Sequence, residues 1–291
     1  MKKFIFLFAI ICFLACENSP KISFGNAINL NKEFKSYWFD GTAEISSYRI
    51  KKSRYGKTRD GETTLIYVTE DFLPIEQVKA NKRSETTLPV LKLNRNTTFL
   101  TGIYPYHIMN SSFTHLGYSE PLIKITTSIQ EWCGHVYLQL NRKEQFQIKS
   151  HSYFEGEADQ KITAPIVLTE DEIWHLIRTQ PDTLPMDKQL MLPGSEYLRL
   201  NHQKIQAHEA FCSLIEGKEL STYSINYPKI DRTLSITFHN TPPFLIEAWE
   251  ERVGIAPKSQ TYSQRIKTLK LPYWKLNQLG DERFRDSLGL K

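Results

Sequence analysis

Glu131-Trp132-Cys133-Gly134-His135-Val136-Tyr137-Leu138-Gln139-Leu140 alternates strictly along its length. Trp132, Gly134, Val136, Leu138 and Leu140 share one parity; Glu131, Cys133, His135, Tyr137 and Gln139 share the other. Successive strand side chains point to opposite faces, so this pattern is that of a half-buried β-strand. The following stretch, Gln145 to Glu155, repeats it: Phe146, Ile148, Ser150, Ser152 and Phe154 oppose Gln147, Lys149, His151, Tyr153 and Glu155. An antiparallel hairpin through Arg142-Lys143-Glu144 sets the two apolar faces together. It pairs Asn141 with Gln145, His135 with His151, Cys133 with Tyr153 and Glu131 with Glu155.

The same period of two recurs on both sides. Thr42 to Arg54, Glu62 to Thr69 after a turn at Arg59-Asp60-Gly61, Val90 to Leu93 and Phe99 to Ile108 read as strands in the first half. In the second half Tyr197 to Leu200, Lys204 to Leu214, Thr222 to Tyr227, Thr233 to His239, Phe244 to Val253 and Tyr262 to Leu271 do the same. The long intervening helices that parallel sheets need are missing, so the connections are hairpins. One helix is signalled: Thr169-Glu170-Asp171-Glu172 has the form of a capping box, and Ile173, Leu176 and Ile177 follow at helical spacing until Pro181. Gly280 to Leu288 adds a short terminal helix. The fold class is therefore mainly β: an antiparallel curved sheet or partly closed barrel with a helix near 169–180, dividing, if at all, into lobes 33–165 and 186–291.

The first residues give an address. Lys2 and Lys3 precede an apolar run from Phe4 to Ala15, which ends at Cys16 and Glu17-Asn18-Ser19-Pro20. That run has the length of an export signal and is too short to span a bilayer as a permanent helix. Its end resembles a lipobox, which makes residues 1–15 a signal peptide, Cys16 the acylated N-terminus, 16–32 a tether and 33–291 a β-rich envelope domain. The leader removes Cys12, leaving Cys133 and Cys212 as ordinary thiols, which read as two separate small apolar groups or, in an oxidising compartment, as a bridged pair. Loss of Lys2 and Lys3 brings the net charge of +5 to +3, too mild for a nucleic-acid partner. The densest basic cluster, Lys51, Lys52 and Arg54, reads as a solvated strand edge.

Chemistry concentrates on the polar face of the central hairpin. Glu131, Cys133, His135, His151, Tyr153 and Glu155 gather two imidazoles, a thiol and two carboxylates on one surface. His135 and His151 with a carboxylate or thiolate suit zinc, and Cys133 beside a histidine is the raw material of a hydrolytic nucleophile. The simpler expectation needs no cofactor: a polar face that contacts water or a ligand. His107, His202, His208 and His239 are isolated and carry no expected role.

Tyr37 to Ile45, Val68 to Phe72, Thr101 to Tyr106, Gln130 to Tyr137 and Ser150 to Gln160 together resemble a family of Bacteroidota lipoproteins along the whole mature chain. Some of its members carry the label septum formation inhibitor Maf, which implies a nucleotide pyrophosphatase with an α/β fold. The Maf phosphate-binding string Ser-Pro-Arg-Arg does not occur here, and the strand pattern is not α/β. The resemblance implies a lipid anchor, and the expected location is the cell envelope, at the outer membrane. The expected function is a membrane-anchored, non-catalytic binding or envelope-maintenance domain for a lipid or other envelope component. The competing expectation is a metalloprotein or hydrolase centred on Cys133, His135 and His151.

Overall fold

The computed structural model describes residues 24–254 and 259–290. The expected leader, Cys16 and the start of the tether lie outside the described residues. A short helix α1 (Lys32–Trp38) leads into β1 (Ala43–Arg54), β2 (Lys57–Leu73), β3 (Val78–Lys79), β4 (Leu88–Thr101), β5 (Tyr104–His115), β6 (Leu122–Glu131), β7 (Gly134–Arg142), β8 (Phe146–Ser152) and β9 (Gln160–Ala164). Then come β10 (Leu168–Thr169), α2 (Glu170–Thr179), β11 (Asp187–Leu192) and α3 (Ser195–Leu200). The chain finishes with β12 (His208–Glu216), β13 (Leu220–Tyr227), β14 (Arg232–His239), β15 (Ile246–Val253), β16 (Gln260–Leu271) and α4 (Arg283–Ser287).

All strands join one sheet, in the order β10-β11-β12-β13-β14-β15-β16-β1-β2-β4-β5-β6-β7-β8-β9, with β3 attached to β2. The sheet is an unclosed curl. Its two edge strands, β9 and β10, are separated by only Pro165, Ile166 and Val167, a span of at most ~14 Å of chain. Near its middle, β16 pairs with β1, so the second half of the chain lies against the start of the first.

The alternation expected from sequence sets the inner face. Tyr223, Ile225 and Tyr227 are fully buried and lie across from Ile236, Leu234 and Arg232 of β14. The concave side is not an open trough. Ile173, Trp174, Leu176 and Ile177 of α2 fill it, packed with Tyr48, Leu65, Leu91, Ile225 and Trp249 in one core. Helix α3 packs Tyr197 and Leu198 in a second core with Ile125, Leu138 and Leu140 of the other wall. Thr169 caps α2 by accepting the Glu172 N–H at 3.2 Å, as the capping box predicts, while the Glu172 carboxylate accepts the Leu122 N–H at 3.0 Å and ties the helix to β6.

Four local expectations are corrected. Tyr197 to Leu200 is helical, not extended; all six residues of α3 are buried, so no polar face distinguishes a helix from a strand. The turn expected at Arg59-Asp60-Gly61 is inside β2, and the chain reverses at Tyr55-Gly56 with φ of 53 and 66. Gly61 serves close approach, because a Cβ there would stand 2.4 Å from the Thr98 carbonyl oxygen. The run Phe99 to Ile108 is broken by the β4–β5 turn at Gly102. Finally, Glu131 to Leu140 is not one strand, since Trp132 and Cys133 form a turn between β6 and β7. Toward the N-terminus Phe24 is buried beside Phe72, Val90 and Ile123, and Ala27 pairs with Tyr118, so residues 24–27 pack on the domain.

Candidate functional site

The polar hairpin face exists, but its register is two residues from the expected one. Asn141 pairs with Gln147 and Tyr137 with His151. The cause lies at the loop. Arg142 reads as a turn residue in the sequence, yet its side chain is buried and donates to the Glu120 carbonyl at 3.0 Å and carboxylate at 2.9 Å. That extends β7 by one residue, pairs Arg142 with Phe146 and moves the turn to Lys143-Glu144-Gln145. The parity of the faces survives a two-residue shift, but the partners do not.

His151 consequently meets Asp159, with Nδ1 and Oδ2 3.1 Å apart, and His135 lies opposite Gln130 of β6. Tyr153 donates its backbone N–H to the His135 carbonyl at 3.3 Å; its ring, like the Glu155 side chain, is exposed in the β8–β9 loop. Cys133 is exposed in a turn and donates its N–H to the Glu131 carboxylate at 2.7 Å. The hydrogen bond and charge of Glu131, with slight burial, push its thiol up from the ordinary value, opposite to what a nucleophile needs. The Cys133–His135–His151 centre is therefore not assembled. Among the described residues, no group of three or more His, Cys, Asp or Glu is placed to hold a metal ion. Cys133 and Cys212 are both free thiols.

The concentrated chemistry is inside the sheet. Glu170 at the start of α2 is paired with both Nη atoms of Arg232, which also donates from Nε to Glu251 at 2.7 Å. Lys52 reaches Glu196 at 2.7 Å and Arg95 reaches the same carboxylate at 3.2 Å. Lys52 is thus buried, not part of a solvated edge, and Arg54 is tied to the Leu200 carbonyl at 2.6 Å. Burial alone would raise the Glu196 carboxyl; Lys52 and Arg95 outweigh it and hold it at about 2. At the other end of α2, Arg178 forms a two-pronged pair with Glu44, both contacts 2.6 Å, and donates from Nε to the Pro243 carbonyl at 2.9 Å.

Sequence reasoning missed this set, although each member leaves a trace. Lys52 continues the parity of Tyr48 and Ile50, Arg95 that of Leu91 and Leu93, and Arg232 that of Leu234 and Ile236. A charge on the apolar parity of a strand is the signal. It becomes readable only when opposite charges from other elements are known to converge on it.

Beside Arg178 the surface opens into a cleft of about 260 Å³. Phe34, Tyr37 and Trp38 of α1 form one wall, Pro242, Pro243 and Phe244 another, and Arg178 lies at its base. The Tyr37 hydroxyl donates to Glu44, and burial together with that carboxylate pushes the phenol far above its ordinary value, so it stays a neutral donor. Phe244, Pro181 and Asp182 also line a neighbouring groove of about 620 Å³ with Leu184, Leu214 and Phe238. Phe244 has φ of 56, a left-handed backbone that a bulky aromatic residue rarely adopts.

No family model and no curated protein sequence matches the chain. Among solved structures it is similar to a beta-barrel-like protein of domain of unknown function DUF1849 from Brucella abortus, at 8% identity and a TM-score of 0.45, over 78% of this chain and 97% of that one. The chain is a mainly β protein. Its sheet is large, curved and unclosed.

Proposed function

We propose that this protein is a lipid-anchored binding domain of the bacterial cell envelope whose ligand is an amphipathic molecule seated in the cleft between α1 and the Pro242-Pro243-Phe244 turn. The observation that carries this reading is the shared wall at Phe244, whose strained backbone presents one aromatic ring to both the cleft and the adjoining groove. The groove, about 620 Å³, falls within the volume range of small-molecule sites and the cleft, about 260 Å³, just below it; such sites are mostly apolar with a few placed polar groups. Here the apolar walls come from Phe34, Trp38, Pro242 and Pro243, and Arg178 and Tyr37, both held by Glu44, fix the shape of the lining between them.

A lipid anchor at Cys16 is supported by the packing of Phe24 on Tyr118, whose carbonyl accepts from Gln180 of the cleft lining. Helix α1 is itself a wall of the cleft, and eight residues of chain lead from Cys16 to the packed Phe24, a reach of about 28 Å. A lipid on Cys16 would therefore hold the cleft near the membrane that supplies an amphipathic ligand.

The test uses the purified full chain and a dansylated fatty acid as probe. Saturable binding is expected, weakened at least tenfold by Phe244→Gly, which removes the ring while tolerating the left-handed backbone. His151→Ala should leave binding unchanged. Absence of saturable binding, or equal affinity in Phe244→Gly, would refute the cleft. Cys16→Ala should release the chain from membranes in fractionated cells, and retention there would refute the anchor.

A further inference from the structure

At the opposite end of β1, a second site is built into the fold. A polar vestibule of about 210 Å³ opens beside the β1–β2 turn, lined by Lys52, Arg54, Tyr55, Tyr197, Asn201 and Glu251 among others. Lys52, Tyr197 and Glu251 also line a chamber of about 30 Å³ deeper in the sheet, with Arg95, Trp174 and Arg232. The vestibule has the volume of roughly seven waters and the chamber that of one.

The charges are not evenly matched. Lys52, Arg54, Arg95 and Arg232 line the two spaces against Glu170, Glu196 and Glu251. The carboxylates are already engaged by Lys52, Arg95 and Arg232. What is left over is donor capacity. Arg54 Nε, Arg95 Nε and Trp174 Nε1 are buried without a hydrogen-bond partner, and Arg95 and Trp174 are only 8% and 2% exposed. Among the described residues, every unpartnered buried side-chain polar atom lining these spaces is a donor. A buried donor left without an acceptor loses its hydration and gains nothing in return, so a site with three of them favours a guest that brings acceptors.

We infer that the vestibule is a binding site for a compact carboxylate, held through Arg54 at the entrance with its acceptor oxygens directed toward the donors further in. Arg54 Nη1 is held by the Leu200 carbonyl at 2.6 Å and Nη2 by the Tyr106 hydroxyl at 3.3 Å, which leaves Nε as the open donor, and the excess cation at the entrance favours an anionic acceptor over a neutral hydroxyl. The guest is limited to the size of a single sugar acid by the vestibule itself. This site shares no lining residue with the Phe244 cleft, so each can fail alone.

Isothermal titration of the full chain with D-glucuronate, with D-glucose as the neutral comparison, tests the assignment. Glucuronate should bind saturably, glucose should not, and Arg54→Gln should weaken glucuronate at least tenfold while Phe244→Gly leaves it unchanged. Arg54→Lys, which keeps the charge and the hairpin but loses the Nε donor, should fall between the two and stands in if the glutamine variant does not fold. No glucuronate binding, equal binding of glucose, or unchanged affinity in both Arg54 variants would overturn the proposal.

Discussion

Glu172 shows how a single residue of α2 serves two jobs. Its N–H completes the Thr169 cap and its carboxyl group, fully buried, accepts from Leu122. Burial pushes that carboxyl from 4.5 up to about 7, despite the Leu122 N–H and Arg142 pulling it down. A raised acid binds its proton more tightly in the folded chain, so its contribution is present below pH 4.5 and lost as the pH rises toward about 7, amounting to about 3 kcal/mol. Two histidines act in the opposite sense. Burial lowers His175 from 6.5 to about 3 and His115 to about 4, so their contribution is present above pH 6.5 and lost as the pH falls. Between pH 4.5 and 6.5 these effects oppose each other. Glu172→Gln should therefore make stability climb more steeply with pH across that window, by up to about 1.4 kcal/mol per unit, as read from urea midpoints. An unchanged slope would remove Glu172 from the account. The cap was legible in the sequence because it is local. The shifted titration was not, because burial of α2 on every side is a property of the surrounding sheet.

At the scale of elements, α2 is clamped at both ends by charge: Glu170 to Arg232 of β14, and Arg178 to Glu44 of β1. Arg178 is also stacked between Trp38 and Tyr67, with its guanidinium carbon 5.1 and 4.7 Å from the ring centroids. Glu44 is 1% exposed and Arg178 2%, so deleting either strands the other in a medium that cannot solvate it. Arg178→Met should destabilise the protein by about 3–5 kcal/mol, and adding Glu44→Leu should restore much of that loss, because removing both charges is far less costly than removing one. Denaturant melts of the two variants decide it; a double variant no better than the single would show that the pair stabilises through more than charge neutralisation. The same scale explains which strands could be read from sequence. Alternation located β13, β14 and β16 to within two residues, and β13 and β14 each bury one face only. It could not place the β7–β8 register, because Arg142 looks like a loop residue until Glu120 is brought beside it.

For the whole molecule, the decisive feature is where the two halves of the chain meet. The expected lobes, 33–165 and 186–291, contribute to a single sheet in which β16 pairs with β1 through nine residue pairs from Ala43–Leu271 to Lys51–Tyr262. The principal core likewise draws Tyr48, Leu65 and Leu91 from the first half, Ile225, Ile236 and Trp249 from the second, and Trp174 from the helix between them. Neither half buries its own inner face without α2, and β1 without β16 would present a long unpaired edge. Two independent folding units would give two transitions, and a segment comprising residues 24–165 would melt cooperatively by itself. The packing predicts the reverse. Urea unfolding of the intact chain should give one transition, coincident by tryptophan fluorescence and far-ultraviolet circular dichroism, and the isolated segment should show no cooperative transition. A cooperative melt of residues 24–165 would show that the interior helix is an addition to a finished lobe. Failure of that segment to fold, joined to a single transition in the whole, would make α2 the element on which both halves close.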